Sequence, residues 1–453
     1  MSRKTSPISL EESLETSGKE LIGYFGRHVN PPMARLLKLV GGDKVYRRAE
    51  GFYVYDENGK RYADLTAGFG SLNLGHNPKE VLDAVALASE FPAVMVAGLN
   101  PLAGVLAHNL STLLPGDLSA ATFGNGGAEA VEIALRTARA YTKRKRFVSC
   151  EGGYHGLSFG AMSVCGTGKY CDHLGPLMSD CERVPFGDTS ALGAALKGED
   201  VAGFIVEPVQ GEGGARVPPK GYLREAEELC RRHGTLLILD EIQTGFGRTG
   251  RMFALEHDKV TPDILTLSKS LGGGVMPISV SITTPEIFDK AFGHGDDFDM
   301  TISTFGGNAR ACAAAIKTIE ILLRDRIPER AEALGERARK GLEAGLAGNK
   351  HVNGISGRGL LLGIELRTPS IPGADMERNF PGMVLSRLLN DESVLTSYCD
   401  LAPATLRFEP PLTVTEGQVD ESVAAFERVL KRSTLGLTLS MGKTIIKRSV
   451  TGN

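Results

Sequence analysis

Four short apolar runs, separated by segments with helical spacing, constrain the fold of this chain more than any other feature. The runs are RFVSC at 146–150, AGFIV at 202–206, TLLIL at 235–239 and DILTL at 263–267, and a helical segment covers 222–232. Short apolar runs that alternate with helices are typical of a parallel sheet covered on both faces. The sequence therefore predicts an α/β fold with a mostly parallel central sheet.

The remaining segments divide the chain into a large domain and a smaller α+β domain built from both chain ends. Apolar spacing predicts helices over 9–24, 33–40, 79–90, 101–113, 127–142, 308–325, 329–348 and 416–431, a hairpin over 53–65 and a strand pair around 357–366. We assign 1–75 to an N-terminal segment of the small domain, 76–325 to the large domain and 326–432 to the C-terminal small domain. The basic tail at 433–453 has no function that the sequence indicates.

Composition limits the classes of partner. The chain has 51 Lys and Arg against 54 Asp and Glu, whereas binding to nucleic acid normally requires a basic excess. Its seven cysteines are odd in number and form no CxxC pair, which favours a reducing, cytoplasmic setting. The first twenty residues carry charge where a signal peptide needs an apolar run. We expect a cytoplasmic protein with small-molecule partners, no membrane segment and no metal.

Three of the apolar runs are followed by residues that carry chemistry: Glu207, Asp240 and Lys269. Ligands of such sheets bind beyond the carboxyl ends of the strands. Lys269 precedes the glycines at 272–274, where partial burial would allow a lysine to lose its proton and form a Schiff base, although an ordinary solvated lysine is the alternative. Pyridoxal phosphate needs such a lysine and a carboxylate that keeps its pyridine nitrogen protonated. Asp240 fits the second role.

A phosphate site is predicted where Asn125-Gly126-Gly127-Ala128 opens a helix. Free N–H groups and the positive end of the helix dipole bind anions there. An ordinary N-terminal turn is the alternative interpretation.

The run Gly245–Gly250, GFGRTG, matches the dinucleotide fingerprint G-x-G-x-x-G. Five residues separate it from the preceding apolar strand, whereas the fingerprint turns directly out of a strand into a helix. It also lacks an acid at the end of a second strand about 20 residues on. We therefore do not interpret it as a nicotinamide or flavin site.

Longer motifs around these residues resemble the class III aminotransferases of pyridoxal phosphate fold type I. The motifs are GFGSLNLGHN at 68–77, NGGAEAVEIALRTAR at 125–139, GGYHG at 152–156, VEPVQGEGG at 206–214, LDEIQTGFGRTG at 239–250, SKSLGGG at 268–274, STFGGN at 303–308 and RFEPPL at 407–412. The resemblance implies that Lys269 is the Schiff-base lysine and that Asp240 partners the pyridine nitrogen.

The resemblance also implies contacts to the rest of the cofactor. Gln243 is expected at the phenolic oxygen and Tyr154 on the ring face. The backbone of Gly127 and Ala128 is expected at the phosphate. Gly126 stands where the family usually has Ser, so one hydroxyl contact to the phosphate is missing.

Three further residues belong to the expected cofactor-binding set: Glu207, His155 and Thr304. For His155, a packed and hydrogen-bonded side chain is the favoured interpretation. Thr304 matches a threonine that reaches the phosphate of the neighbouring subunit. The resemblance therefore implies a homodimer whose sites are completed across the interface.

For the substrate, the resemblance implies that Arg407 pairs with the carboxylate of the keto acid. Glu212 matches a gate that neutralises Arg407 when the amine donor carries no carboxylate, and a static ion pair is the alternative. Phe69 is expected in the pocket wall or in the core. The motifs look most like the putrescine (diamine) branch, which predicts ping-pong transfer from a terminal amine to a keto acid such as 2-oxoglutarate or pyruvate.

Other functions stay open within the same resemblance. They are an acetylornithine-, ornithine- or 4-aminobutyrate-type aminotransferase and a class III aminomutase or decarboxylase. A noncatalytic relative is disfavoured because Lys269, Asp240 and Gln243 are all retained.

Overall fold

The structure is a computed structural model that describes residues 7–96, 98–166, 174–370, 375–434 and 436–437, without the side chains of 377 and 378. Most of the predicted tail and one of the seven cysteines, Cys171, lie outside the described residues.

The N-terminal part contains three helices and a three-stranded antiparallel unit. The elements are α1 (Leu10–Glu15), α2 (Gly18–His28), α3 (Pro31–Val40), β1 (Tyr46–Glu50), β2 (Tyr53–Asp56) and β3 (Arg61–Asp64). The prediction of one helix over 9–24 is wrong, because Ser17 caps α2 by accepting a hydrogen bond from the backbone of Glu20 and so starts a new helix. The hairpin prediction is confirmed, with Tyr53 opposite Ala63.

The middle part alternates helices with strands. Its helices are α4 (Ala67–Gly70), α5 (Lys79–Leu87), α6 (Pro101–Leu113), α7 (Gly127–Thr142), α8 (Phe159–Ser163), α9 (Thr189–Leu196), α10 (Tyr222–His233) and α11 (Pro285–Phe292). Its strands are β4 (Ala120–Gly124), β5 (Arg146–Cys150), β6 (Cys181–Val184), β7 (Val201–Val206), β8 (Leu236–Asp240), β9 (Ile264–Leu267) and β10 (Ser279–Thr283). Short 3-10 turns cover Ala88–Glu90, Ala254–His257, Lys269–Gly272 and Asp297–Thr301.

The strands of the middle part form one sheet, the large sheet. Within the described residues it has seven strands, in the order β4-β10-β9-β8-β7-β5-β6. The neighbours from β9 to β6 are parallel, and β10 runs antiparallel to β9 and β4. The predicted α/β fold with a mostly parallel sheet is confirmed. The sequence patterns missed β4, β6 and β10.

In the described residues, the C-terminal part contributes four helices and a second antiparallel sheet. Its elements are α12 (Ala309–Arg324), α13 (Ile327–Gly345), β11 (Val352–Arg358), β12 (Leu361–Leu366), α14 (Met376–Asp391), β13 (Val394–Leu395), β14 (Tyr398–Cys399), β15 (Ala402–Phe408) and α15 (Glu416–Leu430). The sheet order is β11-β12-β15-β14. Strand β13 lies outside this sheet and pairs with β3. Strands from both chain ends therefore share a sheet, and the domain limits remain a prediction.

The core positions the site. Every residue of β7, β8 and β9 is buried, as expected for parallel strands covered on both faces. Because these strands are parallel, their carboxyl ends meet at one edge of the sheet. Within the described residues, no helix is long and apolar enough to span a bilayer.

Candidate active site

The candidate active site lies at the edge where β7, β8 and β9 end. Glu207 follows β7, Asp240 ends β8, and β9 leads through Ser268 to Lys269. The structure thus brings together the three residues that the sequence placed at strand ends.

Lys269 has a backbone conformation that is rare for a residue with a side chain. Its φ is +42°, in the left-handed region, and such strain is often held at functional sites. Ser268 is fixed by its hydroxyl, which donates to the carbonyl oxygen of Ile278 at 2.8 Å. Burial lowers the pKa of the Lys269 amine, and the carboxylates of Glu409 and Glu212 act in the opposite direction. A lowered pKa increases the neutral form, which acts as nucleophile or base.

Asp240 is buried and held by three hydrogen-bond partners. Its Oδ2 lies 2.7 Å from Nδ1 of His155, while Oδ1 accepts from the hydroxyl of Thr266 at 3.2 Å and from the backbone N–H of Ile242 at 3.1 Å. Burial acts to lower the pKa of His155, but the hydrogen bond and the charge of Asp240 outweigh it and raise that pKa. The buried His155 side chain therefore orients the carboxylate of Asp240.

Thr266 was missed by sequence reasoning. The signal that could have found it is that Thr266 carries the only hydroxyl in the apolar run 263–267. In the structure Thr266 is fully buried. A buried hydroxyl requires a partner, and Asp240 on the neighbouring strand supplies it.

Glu207 supports the loop that carries Tyr154. Its carboxyl accepts from the backbone N–H of Tyr154 at 2.8 Å and from that of Gly211 at 3.3 Å. Burial raises the pKa of Glu207 to about 7, against the opposing charge of His155. Burial also raises the pKa of Tyr154 to about 12. These contacts fit a positioning role for Glu207.

The predicted phosphate site is the N-terminus of α7. Gly126 precedes the helix with φ −129°, and no side chain caps it. A Cβ built at Gly126 meets nothing within 4 Å, whereas one at Gly127 would lie 3.1 Å from Ile242. Ala128 packs against Gly156, where a Cβ would come within 2.6 Å of the Ala128 Cβ. An uncapped helix start beside open space is suited to an anion.

Thr304 is exposed and lies in the loop between the turn Asp297–Thr301 and α12. It follows Ser303, whose hydroxyl accepts from Nδ2 of Asn125 at 3.2 Å. That bond ties the loop of Thr304 to the residue before the phosphate site. Within a single protomer Thr304 faces solvent.

Gln243 is buried and hydrogen-bonded to Glu409, a residue that the sequence analysis missed. Its Nε2 donates to Oε1 of Glu409 at 2.9 Å. A Cβ at Gly211 would lie 2.0 Å from Oε1 of Gln243, so a larger residue there would displace the Gln243 amide. Because an amide nitrogen carries two N–H donors, one remains for a ligand. The signal for Glu409 was an acid two residues after Arg407, because alternate residues of an extended chain lie on one face.

Arg407, on β15, is almost fully buried and has two carboxylate partners. Its Nη2 forms a close ion pair with Glu212, and its Nη1 lies 3.3 Å from Glu409. Glu212 also accepts from the backbone N–H of Asp400 at 2.9 Å. The Phe69 ring lies 5.1 Å from the Arg407 guanidinium and is 48% exposed. Phe69 therefore lies in a wall of the site rather than in the core.

The glycine run at 245–250 is a structural junction. Arg248 within it is fully buried and donates to the carbonyl oxygens of Leu360 at 3.1 Å and Pro410 at 2.6 Å, and to Oδ1 of Asn73 at 2.5 Å. Burial lowers the pKa of Arg248 to about 10. A 3-10 turn, not an α-helix, follows the run. Arg248 thus joins the large sheet to both chain ends.

The residues at this edge fit pyridoxal phosphate. Lys269 supplies an amine of lowered pKa, Asp240 an oriented carboxylate, and α7 an uncapped N-terminus. The buried polar atoms without a hydrogen-bond partner in the described residues include Nε2 of His155 and Oγ of Ser270. No group of three or more metal-ligating side chains occurs in that part of the chain.

The comparisons with known proteins decide the family. The model of the family "Aminotransferase class-III" matches residues 40–430. The chain belongs to the class III aminotransferases. Members of this family use pyridoxal 5′-phosphate, and an amine transaminase from an uncultivated Pseudomonas species was solved in its PLP-bound form. That structure is 30% identical, covers 85% of this chain and 94% of its own, and has a TM-score of 0.78.

Two further relatives show the extent of the similarity. The ornithine aminotransferase of Toxoplasma gondii is 32% identical, with a TM-score of 0.83 over 94% of this chain and 98% of its own. The aminotransferase PigE of Serratia sp. (strain ATCC 39006) is 35% identical over 91% of this chain. The chain spans about half the length of PigE, 53%. The fold is that of the class III transaminases.

Proposed function

We propose that this class III protein is a pyridoxal-phosphate-dependent aminotransferase that moves the amino group of a terminal amine to a keto acid. The observation that carries the proposal is the joint position of Lys269 and the Arg407 ion pair. Glu212 and Glu409, which pair with Arg407, are also the carboxylates whose charges act most strongly on the pKa of the Lys269 amine. An amine-handling lysine thus shares one buried site with a carboxylate-binding arginine.

The chain's own residues would hold and tune the cofactor. Bound pyridoxal phosphate supplies an aldehyde that takes up the amino group and a cationic ring that withdraws electrons. The carboxylate of Asp240, oriented by His155 and Thr266, would hold the proton on the ring nitrogen. The backbone of Gly127 and Ala128 would bind the phosphate.

Lys269 would carry the proton. Its amine would take a proton from the reacting carbon of the donor and return one on the cofactor side. A general base works best when its pKa lies near the operating pH, and burial lowers the pKa of Lys269 in that direction.

Arg407 would bind the carboxylate of the acceptor, 2-oxoglutarate or pyruvate. A diamine such as putrescine has no carboxylate, so an unpaired Arg407 would repel it. The ion pair with Glu212 removes that obstacle, and an incoming carboxylate would displace Glu212. This exchange supports a ping-pong cycle in which one site takes both substrates.

A second candidate donor is ornithine, because the chain resembles the ornithine aminotransferase of Toxoplasma gondii. Ornithine has a terminal amine as well as an α-carboxylate. The test mixes the holoenzyme separately with putrescine and ornithine and follows the cofactor absorbance through the half reaction. A faster reaction with putrescine supports the diamine proposal, and a faster reaction with ornithine replaces it.

The complete cycle separates an aminotransferase from an aminomutase or a decarboxylase. An aminotransferase consumes one keto acid for each amine converted. Turnover of amine without loss of 2-oxoglutarate or pyruvate would contradict the proposal.

We further propose a homodimer in which Thr304 reaches the phosphate site of the partner. The support is an apolar surface around Thr304 that includes Phe298, Met300, Ile302 and Phe305, all between 46% and 59% exposed. Such surfaces are typical of interfaces. Light scattering after gel filtration should give a mass twice that of the chain for the wild type, and the Phe305→Glu variant should give a lower mass. A monomeric wild type with full activity would contradict the proposal.

A further inference from the structure

Glu409 is a fully buried carboxylate beside Arg407, on the side of the site proposed to bind substrate. Its Oε2 lies 3.3 Å from Nη1 of Arg407. Its Oε1 accepts from Gln243 at 2.9 Å and lies 3.9 Å from Nε of Arg248. The side chain of Glu409 has an exposed fraction of 0%. Hydrogen bonds from Arg407 and Gln243 therefore hold the carboxylate, and the Arg248 charge lies close by.

Glu212 meets the other end of the same guanidinium under different conditions. It lies in the loop between Gln210 and Arg216, which pair in an isolated bridge, and its side chain keeps 11% exposure. Besides Arg407, its carboxylate accepts from the backbone N–H of Asp400. Moving a carboxylate that already reaches solvent costs less than moving a fully buried one that accepts hydrogen bonds from Arg407 and Gln243.

We infer that Glu409 is a specificity-determining residue, a fixed carboxylate that keeps Arg407 paired while Glu212 is the exchangeable partner. The inference rests on the proposed function, since it assumes that Arg407 receives the carboxylate of the acceptor. With Glu409 in place, an ammonium-bearing donor meets a paired guanidinium even when Glu212 has moved. The same negative charge makes Arg407 less avid for an incoming carboxylate.

A purely structural role for Glu409 makes the opposite prediction. In that case the contacts of Glu409 with Gln243 and Arg248 would stabilise the site, and its charge would not affect how Arg407 binds a carboxylate. Loss of the charge would then leave carboxylate binding unchanged or weaken it through disorder.

Glutarate separates these possibilities, because it carries carboxylates but no amine or carbonyl that reacts. Its dissociation constant for the holoenzyme is measured by calorimetry. Glu409→Gln keeps the shape and an acceptor for Gln243 but removes the charge, so glutarate should bind about three- to tenfold more tightly. Glu409→Asp keeps the charge and should resemble the wild type. Glu416→Gln, which removes an exposed partner of Arg337, controls for the loss of one remote glutamate.

The amine half reaction gives the second measurement. Because Glu409 alone still pairs with Arg407, Glu212→Gln should keep the half reaction with putrescine within about tenfold of the wild type. The double variant Glu212→Gln/Glu409→Gln should lose more than the product of the two single losses.

The inference is overturned if a folded Glu409→Gln variant binds glutarate no more tightly than the wild type, or if the wild type binds no glutarate. It is also overturned if the rate loss of the double variant equals the product of the losses of the two single variants. If Glu409→Gln does not fold, Glu212→Gln decides alone, and a loss above about a hundredfold, more than the single remaining pair allows, overturns the inference. If no amine changes the cofactor absorbance of the wild type, the proposed function fails, while glutarate binding still reports on the charge of Glu409.

Discussion

The two sides of the candidate site are built in different ways. On the cofactor side, Asp240, Thr266 and Lys269 come from neighbouring strand ends of one sheet, and the bond between Thr266 and Asp240 spans 26 positions. On the substrate side, Arg407 and Glu409 come from the C-terminal part and meet side chains from the loops that follow β7 and β8. The bond between Gln243 and Glu409 spans 166 positions.

The difference predicts different behaviour under substitution. The cofactor side has its partners fixed by parallel strands buried on both faces, so it should act as a rigid frame. The substrate side is held by ion pairs between separate parts of the chain, and ion pairs can be exchanged for those of a ligand. Changes on the first side should impair both half reactions, and changes on the second should impair one.

Asp240→Asn should have the largest effect and should slow both half reactions. An amide cannot stabilise a protonated ring nitrogen, so a loss of several kcal/mol in the barrier is expected, at about 1.36 kcal/mol per tenfold in rate. Stopped-flow absorbance with putrescine and then with 2-oxoglutarate measures both steps. A loss below about tenfold in either would show that Asp240 is not the ring partner.

Arg407→Ala should separate the two half reactions. The step with 2-oxoglutarate or glutamate should lose about 2 to 5 kcal/mol, because a desolvated charge pair with the substrate is removed. The step with a diamine should persist, since no carboxylate is bound there. Equal damage to both steps would show that Arg407 is structural, and the two sides of the site would then not differ.

Thr266→Val should have a smaller effect that again falls on both half reactions. The change removes one hydrogen bond to Asp240 at nearly constant volume, so about 0.5 to 1.5 kcal/mol is expected. Thr266→Ser, which retains the hydroxyl, is the matched control and should recover most of the rate. Damage confined to one half reaction would contradict the rigid-frame account.

Gly126→Ser should have an effect as small as that of Thr266→Val, but of opposite sign, and should tighten cofactor binding. The backbone at Gly126 suits any residue, and a Cβ there meets nothing within 4 Å. The new hydroxyl can donate to the phosphate, which is worth about 0.5 to 1.5 kcal/mol. Gly127→Ser is the matched control, because its Cβ would lie 3.1 Å from Ile242 and should weaken binding. Equilibrium dialysis of pyridoxal phosphate decides, and weaker binding by Gly126→Ser would place the phosphate elsewhere.

The cofactor side could be predicted from the sequence because strand ends are visible as the ends of apolar runs. Asp240 and Lys269 follow such runs directly. Glu409 could not be assigned in this way, because its partner Gln243 lies in the turn after β8 and no local pattern records a contact between such distant parts of the chain. Helix boundaries failed where a capping residue interrupts helical spacing, as Ser17 does. The antiparallel strand β10 was missed because its serines interrupt the apolar run.

The most direct test of the central claim is borohydride reduction of the holoenzyme followed by peptide mapping. The account predicts that the cofactor is fixed to a single peptide, the one that contains Lys269, and that Lys269→Ala removes this label. Recovery of the label on another lysine, or no label on a protein saturated with pyridoxal phosphate, would contradict the assignment of Lys269 and the proposed chemistry with it.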